Sequence, residues 1–373
     1  MPTFSSLYNQ EAAIGALRRA LESECLPGAY LFVGPAGVGK GALARALAQA
    51  AACLNPRRDP FDACGVCESC RRAEAGTQPE IVTFYPVGEQ MQIWQFWERE
   101  NRPQSGVLTR TLLYAPTLGR RRVYILENAD TLNESAANSL LKVLEEPPPY
   151  ALFILLAPHP ARVLPTIVSR CQMVRVQAVS IDALTAYLRD TVGLEPDRAA
   201  MLAAYAEGRI GQAMQLAQNP AVAEEITRVL DFAETLPEAP RVRALRLAEQ
   251  MRKLAGQIRA LAGEETEAAP AADEAETTGA APKERAGRRQ LAALFDLLVA
   301  FYRDLLALRI AGEAARNVIN RERLPKLSRL AQAGTPDRWV RCLDALLLAR
   351  RRLDANANIA LVTEVLAMTL TQN

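Results

Sequence analysis

Residues Gly34-Pro-Ala-Gly-Val-Gly-Lys-Gly41 form a glycine-rich loop that ends in a lysine and one more glycine. An apolar run, Ala29-Tyr-Leu-Phe-Val33, precedes it and reads as a buried strand. An Ala/Leu-rich segment, Ala42 to Ala52, follows and reads as a helix. Strand, loop and helix in this order make a phosphate-binding loop. Glycines let backbone N–H groups close on phosphate, and the helix N-terminus adds positive potential. The candidate phosphate-binding residues are Gly34, Gly37, Gly39, Lys40 and Gly41, with Lys40 in place to reach the outer phosphates. Gly41 is the degenerate member: such loops carry Ser or Thr there, whose hydroxyl holds Mg²⁺. The loop keeps its cradle and lacks one of the groups that hydrolysis needs.

A chain of 373 residues, half of them hydrophobic, suggests two or three domains with ordinary cores. From Ser5 to about Arg175, short apolar strands alternate with longer helical segments. The clearest strands are Tyr30–Val33, Ile81–Tyr85, Arg122–Leu126 and Ala151–Ala157. None shows polar alternation, which predicts a parallel sheet covered by helices on both faces. From Ile181 to about Gln218 only helical periodicity remains, in short units punctuated by Gly193, Pro196 and Gly208. A longer helical stretch runs from about Ala221 to Ala262. Residues 263–287 change character: six acids lie between Glu264 and Glu276, with no aromatic or large aliphatic residue. That composition predicts a disordered acidic insertion. From Arg288 onward the pattern is helical again, broken by Pro325 and by Gly334-Thr-Pro336. No run approaches a membrane span and the N-terminus lacks a signal-peptide layout, so a cytoplasmic protein without membrane association is expected. The net charge of +2 argues neither for nor against nucleic acid.

A second nucleotide element should be an apolar strand ending in acids. Val123-Tyr-Ile-Leu126 runs into Glu127-Asn128-Ala129-Asp130. A working ATPase needs an Asp to organise Mg²⁺ and a Glu to polarise the attacking water. Glu127 stands at the first position and Asn128 at the second. Asn can orient a water but cannot take its proton. Asp130 is an alternative acid whose direction the sequence leaves open; Glu127 and Asp130 also suit the start of the next helix. Asn133 caps a helical run, Glu134 to Glu146, stopped by Pro147-Pro148-Pro149. Further on, Thr166-Ile-Val-Ser-Arg170-Cys171 offers Arg170 as a finger for a neighbour's γ-phosphate. A surface arginine paired with an acid is the other reading.

Cys53, Cys64, Cys67 and Cys70 fall within eighteen residues, with two Cys-x-x-Cys steps sharing Cys67. Four thiolates with no open position fit a closed tetrahedral Zn²⁺ site of the structural kind. An iron–sulfur cluster is the alternative, but the charged loop Arg57-Arg58-Asp59 offers it little hydrophobic shelter. Cys25, Cys171 and Cys342 read as core fillers. His159, between two prolines, reads as a solvated loop residue. Trp94 and Trp97 suit either base stacking or helix packing, and Arg120-Arg121-Arg122 either phosphate contact or a solvated strand entry.

Several of these segments together resemble bacterial clamp-loader subunits. The phosphate loop does so, with the four-cysteine module Ala52-Cys53-Leu54-Asn55…Cys64-Gly-Val-Cys67-Glu-Ser-Cys70-Arg71. Asn133-Glu-Ser-Ala-Ala-Asn-Ser-Leu-Leu-Lys142-Val-Leu-Glu-Glu-Pro-Pro148 and Leu164-Pro-Thr-Ile-Val-Ser-Arg-Cys171 do as well. Ala206-Glu-Gly-Arg-Ile-Gly-Gln-Ala213 is similar to that family's lid motif, and Asn356-Ala-Asn358 to its collar domain. The resemblance implies an α/β then all-α architecture. A RecA-like P-loop AAA+ domain would span 1–178, with a zinc module at 53–70. A small helical lid would span 179–219, and a helical C-terminal collar domain 220–373, interrupted by the insertion at 263–287. It also implies a hetero-pentameric ring of tau/gamma motor subunits and delta that loads a sliding clamp onto primed DNA during replication, as part of a DNA polymerase holoenzyme. The motor type carries Ser/Thr after the loop lysine, an Asp-Glu pair after the second strand, and a lid arginine that senses the γ-phosphate. This chain has Gly41, Glu127-Asn128 and Gly211. All three departures weaken hydrolysis, and loss of one charge-stabilising arginine alone can cost on the order of 10³-fold or more. The expectation is therefore a stator-type member, with ATP or ADP bound passively if at all and Arg170 working in trans. Three alternatives stand beside it: a hydrolysing tau/gamma-type motor, a P-loop ATPase whose zinc finger reads DNA, and a scaffold in which Arg170 does nothing.

Overall fold

The computed structural model describes residues 2–8, 10–23, 25–88, 90–99, 105–261, 281–312, 315 and 318–371. Two compact units divide the chain: Met1–Ser180 with Arg209–Gly211, and Ile181–Gly208 with Gln212–Asn373.

The first unit begins with α1 (Glu11–Glu22), β1 (Ala29–Val33) and α2 (Lys40–Ala52). A small hairpin of β2 (Arg57–Arg58) and β3 (Phe61–Asp62) leads to α3 (Glu68–Glu74). Then come β4 (Ile81–Phe84), α4 (Ile93–Phe96), α5 (Val107–Thr111), β5 (Arg122–Leu126), α6 (Glu134–Glu145), β6 (Ala151–Ala157), α7 (Pro165–Val168) and β7 (Gln172–Arg175). Five strands form one parallel sheet in the order β4-β5-β6-β1-β7. The register sets Val33 beside Ala157 on one side and Arg175 on the other. All five residues of β1 and all seven of β6 are buried. Tyr30 and Phe32 pack with Leu17 of α1 and Leu47 of α2 on one face. Leu31 and Val33 pack with Leu140 and Leu144 of α6 on the other. Burial on both faces is why these strands read as unbroken apolar runs.

Two strand features are absent from the sequence reading. In β7 only Val174 is buried, so this edge strand shows no apolar run. The β2–β3 hairpin is two residues per strand, too short for any period. Arg122 also differs from both readings offered for it. Its Nε donates to Glu80 Oε2 at 2.6 Å, and the two side chains are 9% and 1% exposed. Glu80 Oε1 accepts from the Thr117 and Leu118 amides at 2.8 and 3.3 Å, and Arg122 Nη1 donates to the carbonyls of Thr111 and Tyr114. One buried ion pair therefore ties the 111–118 segment to the starts of β4 and β5.

The second unit is helical: α8 (Ile181–Asp190), α9 (Pro196–Tyr205), most of α10 (Ile210–Gln218), α11 (Ala221–Thr235), α12 (Ala244–Ala255), α13 (Ala281–Ala311), α14 (Leu324–Gln332), α15 (Pro336–Asp354) and α16 (Ile359–Leu370). Helix α13 packs on α11, α12, α14 and α15. Its Phe295, Leu298, Phe301 and Tyr302 are fully buried. Asp304 is buried too, accepting from the Ile319 and Asn320 amides at 3.0 and 2.9 Å and from Asn320 Nδ2 at 2.7 Å. Helix α9 joins this core through Ala204, which packs with Ala300 and Ile319. The expected insertion at 263–287 lies outside the described residues as far as 280. Residues 281–287 are instead the opening turns of α13. Alanine, lysine, glutamate and arginine there are good helix formers. Cys25 is exposed rather than a core filler, whereas Cys342 is buried. Among the described residues no helix is long and apolar enough to cross a membrane.

Burial alone would raise the Glu80 carboxyl, but the Arg122 guanidinium and the Thr117 and Leu118 amides outweigh it and hold it below its usual value. Arg122→Met, which strands a buried carboxylate, is expected to cost about 3–5 kcal/mol in urea unfolding. Because the folded pKa is the lower one, the Glu80 contribution is complete above the unfolded carboxylate pKa and fades as pH falls through the folded value. The stability difference between the unsubstituted chain and Glu80→Gln should therefore shrink in acid; a difference that grows would contradict the pairing.

Candidate functional site

The loop leaves the carboxyl end of β1, where Gly34 N donates to Ala157 O at 3.3 Å. A Cβ on Gly34 would fall 2.1 Å from Val176 O, so only glycine fits beneath the neighbouring backbone. Gly39 caps α2 at φ 102, a left-handed conformation that turns the helix N-terminus into the loop. Lys40 opens α2, and its Nζ donates to Gly34 O at 2.6 Å and Pro35 O at 2.8 Å. Gly211, in the first turn of α10, donates its N–H to Gly37 O at 2.8 Å. A Cβ at Gly211 would stand 3.0 Å from that oxygen. The residue expected at the lid-sensor position thus lies against the loop as bare backbone.

Gly41 is enclosed by charge. A Cβ there would lie 3.1 Å from Arg45 Nη1 and 3.1 Å from Glu127 Oε1. Arg45 and Glu127 pair at 3.5 Å. Burial raises the Glu127 carboxyl, opposed by Arg45 and Lys40. Burial lowers the Lys40 ammonium, opposed by Glu127 and Asp130. Asn128 sits at φ 55 and caps a short 3-10 turn, Ala129–Thr131, a conformation asparagine tolerates better than most residues. Asp130 Oδ2 is 3.9 Å from Arg162, while its Oδ1 is buried without a hydrogen-bond partner. A P-loop of this fold implies Mg²⁺, and the residues present do not fit it. Position 41 has no hydroxyl, and the strand-end carboxylate Glu127 already faces a guanidinium.

Arg170 lies at the other end of the sheet. Gln172 is level with Tyr30, and Arg170 comes two residues earlier. The phosphate loop leaves the opposite end, about 13 Å along the strand at roughly 3.3 Å per residue. Arg170 Nη2 donates to Glu145 Oε2 at 3.3 Å and Nη1 to Thr166 O at 3.1 Å, with the side chain 30% exposed. The geometry thus separates it from this chain's own loop and pairs it with an acid. His159 Nδ1 accepts from Ala161 N in a surface turn. Trp97 packs against the sheet core.

The four cysteine sulfurs lie within 4.8 Å of one another. Sγ–Sγ separations are 3.5 Å for Cys53–Cys64, 3.8 Å for Cys53–Cys67, 3.6 Å for Cys53–Cys70 and 3.9 Å for Cys64–Cys70. Amides of Cys64, Cys67 and Cys70 point at the sulfurs of Cys53, Cys64 and Cys67. These four residues can hold a metal ion. Burial raises the Cys53 and Cys70 thiols. Burial also acts to raise Cys67, but the Cys70 and Leu54 amides outweigh it and bring that thiol down to about 6. The module is better sheltered than its charged loop suggests: Cys53, Cys64 and Cys70 are buried, while Arg57 and Arg58 face solvent. Its anchors were not readable in the sequence. Asp62 accepts from Phe4 N and Ser5 N at 3.1 and 2.9 Å, and Ser69 Oγ donates to Ala52 O at 2.9 Å.

A phosphate loop after an inner strand of a five-stranded parallel sheet, with acids at the end of β5, defines a P-loop domain of the RecA-like AAA+ class. Known proteins narrow this further. The family described as "DNA polymerase III, delta subunit" matches residues 9–180. The delta' subunit of DNA polymerase III from Bacillus subtilis is 27% identical over 97% of this chain and 96% of its own length. The Pseudomonas aeruginosa delta' subunit is 39% identical over 38% of this chain and 41% of its own. The tau subunit from Escherichia coli is 31% identical over 57% of this chain, but the match spans only 32% of tau. The chain is thus similar to delta' subunits of DNA polymerase III, and to the Bacillus subtilis one over nearly its whole length.

The loop geometry gives a discriminating pair of substitutions. Gly34→Ala pushes a methyl into backbone and is expected to cost about 1–3 kcal/mol or more in urea unfolding. Gly41→Ala meets only the flexible ends of Arg45 and Glu127 and should cost clearly less. Equal costs would mean the loop is not held as described.

Proposed function

We propose that this chain is the stator-type, delta-prime subunit of a DNA polymerase III clamp loader. It assembles in the cytoplasm with tau/gamma motor subunits and delta in a hetero-pentamer that loads a sliding clamp onto primed DNA. Residues 1–178 act as the AAA+ domain, 179–219 as the lid and 220–373 as the collar that joins other subunits. The chain does not hydrolyse ATP; Arg170 completes a neighbour's ATP site and stabilises charge developing on its phosphates. The observation that carries this reading is the position of Arg170, beyond the amino end of the sheet, while this chain's own phosphate loop lies at the carboxyl end. An arginine so placed meets phosphate only in another subunit. Gly41, Glu127-Asn128 and the backbone contact of Gly211 support the same division of labour, against the motor reading. The Glu145 ion pair is exposed and weak enough to yield to a phosphate.

Reconstitution with Arg170→Ala tests it. The ring should still assemble, while turnover at the site that Arg170 completes falls on the order of 10³-fold and clamp loading suffers. Unchanged DNA-stimulated ATPase and clamp loading would remove the finger role.

The metal is zinc, in a structural role. Zn–S bonds of about 2.3 Å in a tetrahedron put the sulfurs about 3.8 Å apart. Four of the six separations, 3.5 to 3.9 Å, match that edge, and all six lie within 4.8 Å. A four-iron cluster, with each thiolate on a different iron, spreads them further. Elemental analysis of the purified chain should find about one zinc per chain, absent when Cys53 and Cys70 are both changed to Ser. Iron, or four freely reactive thiols in the native chain, would overturn the assignment.

A further inference from the structure

Arg45 lies one helical turn beyond Gly41, and side chains on a helix lean towards its N-terminus. Its guanidinium therefore folds back over the first turn of α2, into the space that a side chain at position 41 would take. There a Cβ on Gly41 would meet it at 3.1 Å. It reaches Glu127, at the end of β5, at 3.5 Å. In a loop that holds a metal–nucleotide, the residue after the lysine gives a hydroxyl to Mg²⁺ and the strand-end acid organises the same ion. In this chain a cation belonging to the protein occupies that volume. The absence of a side chain at Gly41 is what makes room for it.

We propose that Arg45 stands in for the divalent ion, so that the loop takes a di- or triphosphate chain without Mg²⁺. Arg45 neutralises Glu127 on one side and offers its remaining N–H donors to phosphate oxygens, a geometry that suits a guanidinium. The free N–H groups at the start of α2 supply the rest of the cradle. Lys40, held by the carbonyls of Gly34 and Pro35, exchanges those two bonds for the outer phosphates. A Mg²⁺ ion would have to displace the guanidinium from Glu127, and it would still find no hydroxyl at position 41. The ligand is defined by its phosphate chain, which a nucleoside diphosphate and inorganic pyrophosphate share. Nothing in this inference depends on assembly with other subunits, and Arg170 plays no part in it.

Titration calorimetry of the intact chain with ADP and, separately, with pyrophosphate is the test, each with Mg²⁺ and with EDTA. Binding should be the same within about threefold in the two media. Arg45→Gln, at a side chain already 38% exposed, should weaken binding in EDTA by about tenfold or more. In Gly41→Ser combined with Arg45→Gln, which frees Glu127 and supplies a hydroxyl, Mg²⁺ should now tighten binding. ADP and pyrophosphate of equal affinity would make the site one for free phosphates; tighter ADP would make it one for nucleotides. Either result supports the proposal. Binding by the unsubstituted chain that tightens tenfold with Mg²⁺, no binding of either ligand at about millimolar concentration, or an Arg45→Gln chain that binds as before would overturn it. Each of those outcomes leaves the clamp-loader reading standing, because that reading is measured through Arg170.

Discussion

Helix α2 is bound at both ends and buried along much of its length. Its first residue, Lys40, closes the phosphate loop, and Cys53 follows its last residue as a member of the four-cysteine cluster. Thirteen residues at about 1.5 Å each make a rod of roughly 20 Å. Alanines at 44, 46, 48, 50, 51 and 52 are buried beside Leu43 and Leu47, so the helix is held firmly against the sheet. That packing fixes the distance between the two functional ends. The loop cannot shift without moving the cysteine module, and the module cannot open without loosening the helix that carries the loop.

The same rod explains why the chemistry is divided between two ends. At the carboxyl ends of the strands, the loop, Arg45, Glu127 and Gly211 form a neutralised and largely self-satisfied cluster. At the amino ends lie the cysteine module and Arg170. This chain holds Arg170 a strand's length away from that cluster, against Glu145. The geometry keeps Arg170 apart from the chain's own phosphate loop.

Much of the first unit was legible from residues alone. Strands buried on both faces announce themselves as apolar runs, and β5 and β6 begin and end where the pattern says. Asn133 caps α6 as expected, accepting from Ala136 N at 2.8 Å. The four cysteines and the loop carry their chemistry in their spacing. What escaped was long-range pairing between charges. Glu80 meets Arg122 across 42 positions, and Arg45 meets Glu127 across 82. Neither leaves a local period, so Arg122 read as solvated or phosphate-binding and Arg45 drew no reading at all. The same limit hid β7, whose pairing with β1 rather than its own polarity makes it a strand. In the second unit, composition alone set the end of the acidic segment too late, because 281–287 take their helical state from α13.

The account rests on the phosphate loop being a cradle that does not turn over. Single-turnover incubation of the isolated chain with ATP and Mg²⁺ measures this directly. The predicted result is no phosphate release above the buffer control. Release that requires Mg²⁺ and disappears in Lys40→Ala would contradict it and make this chain a motor.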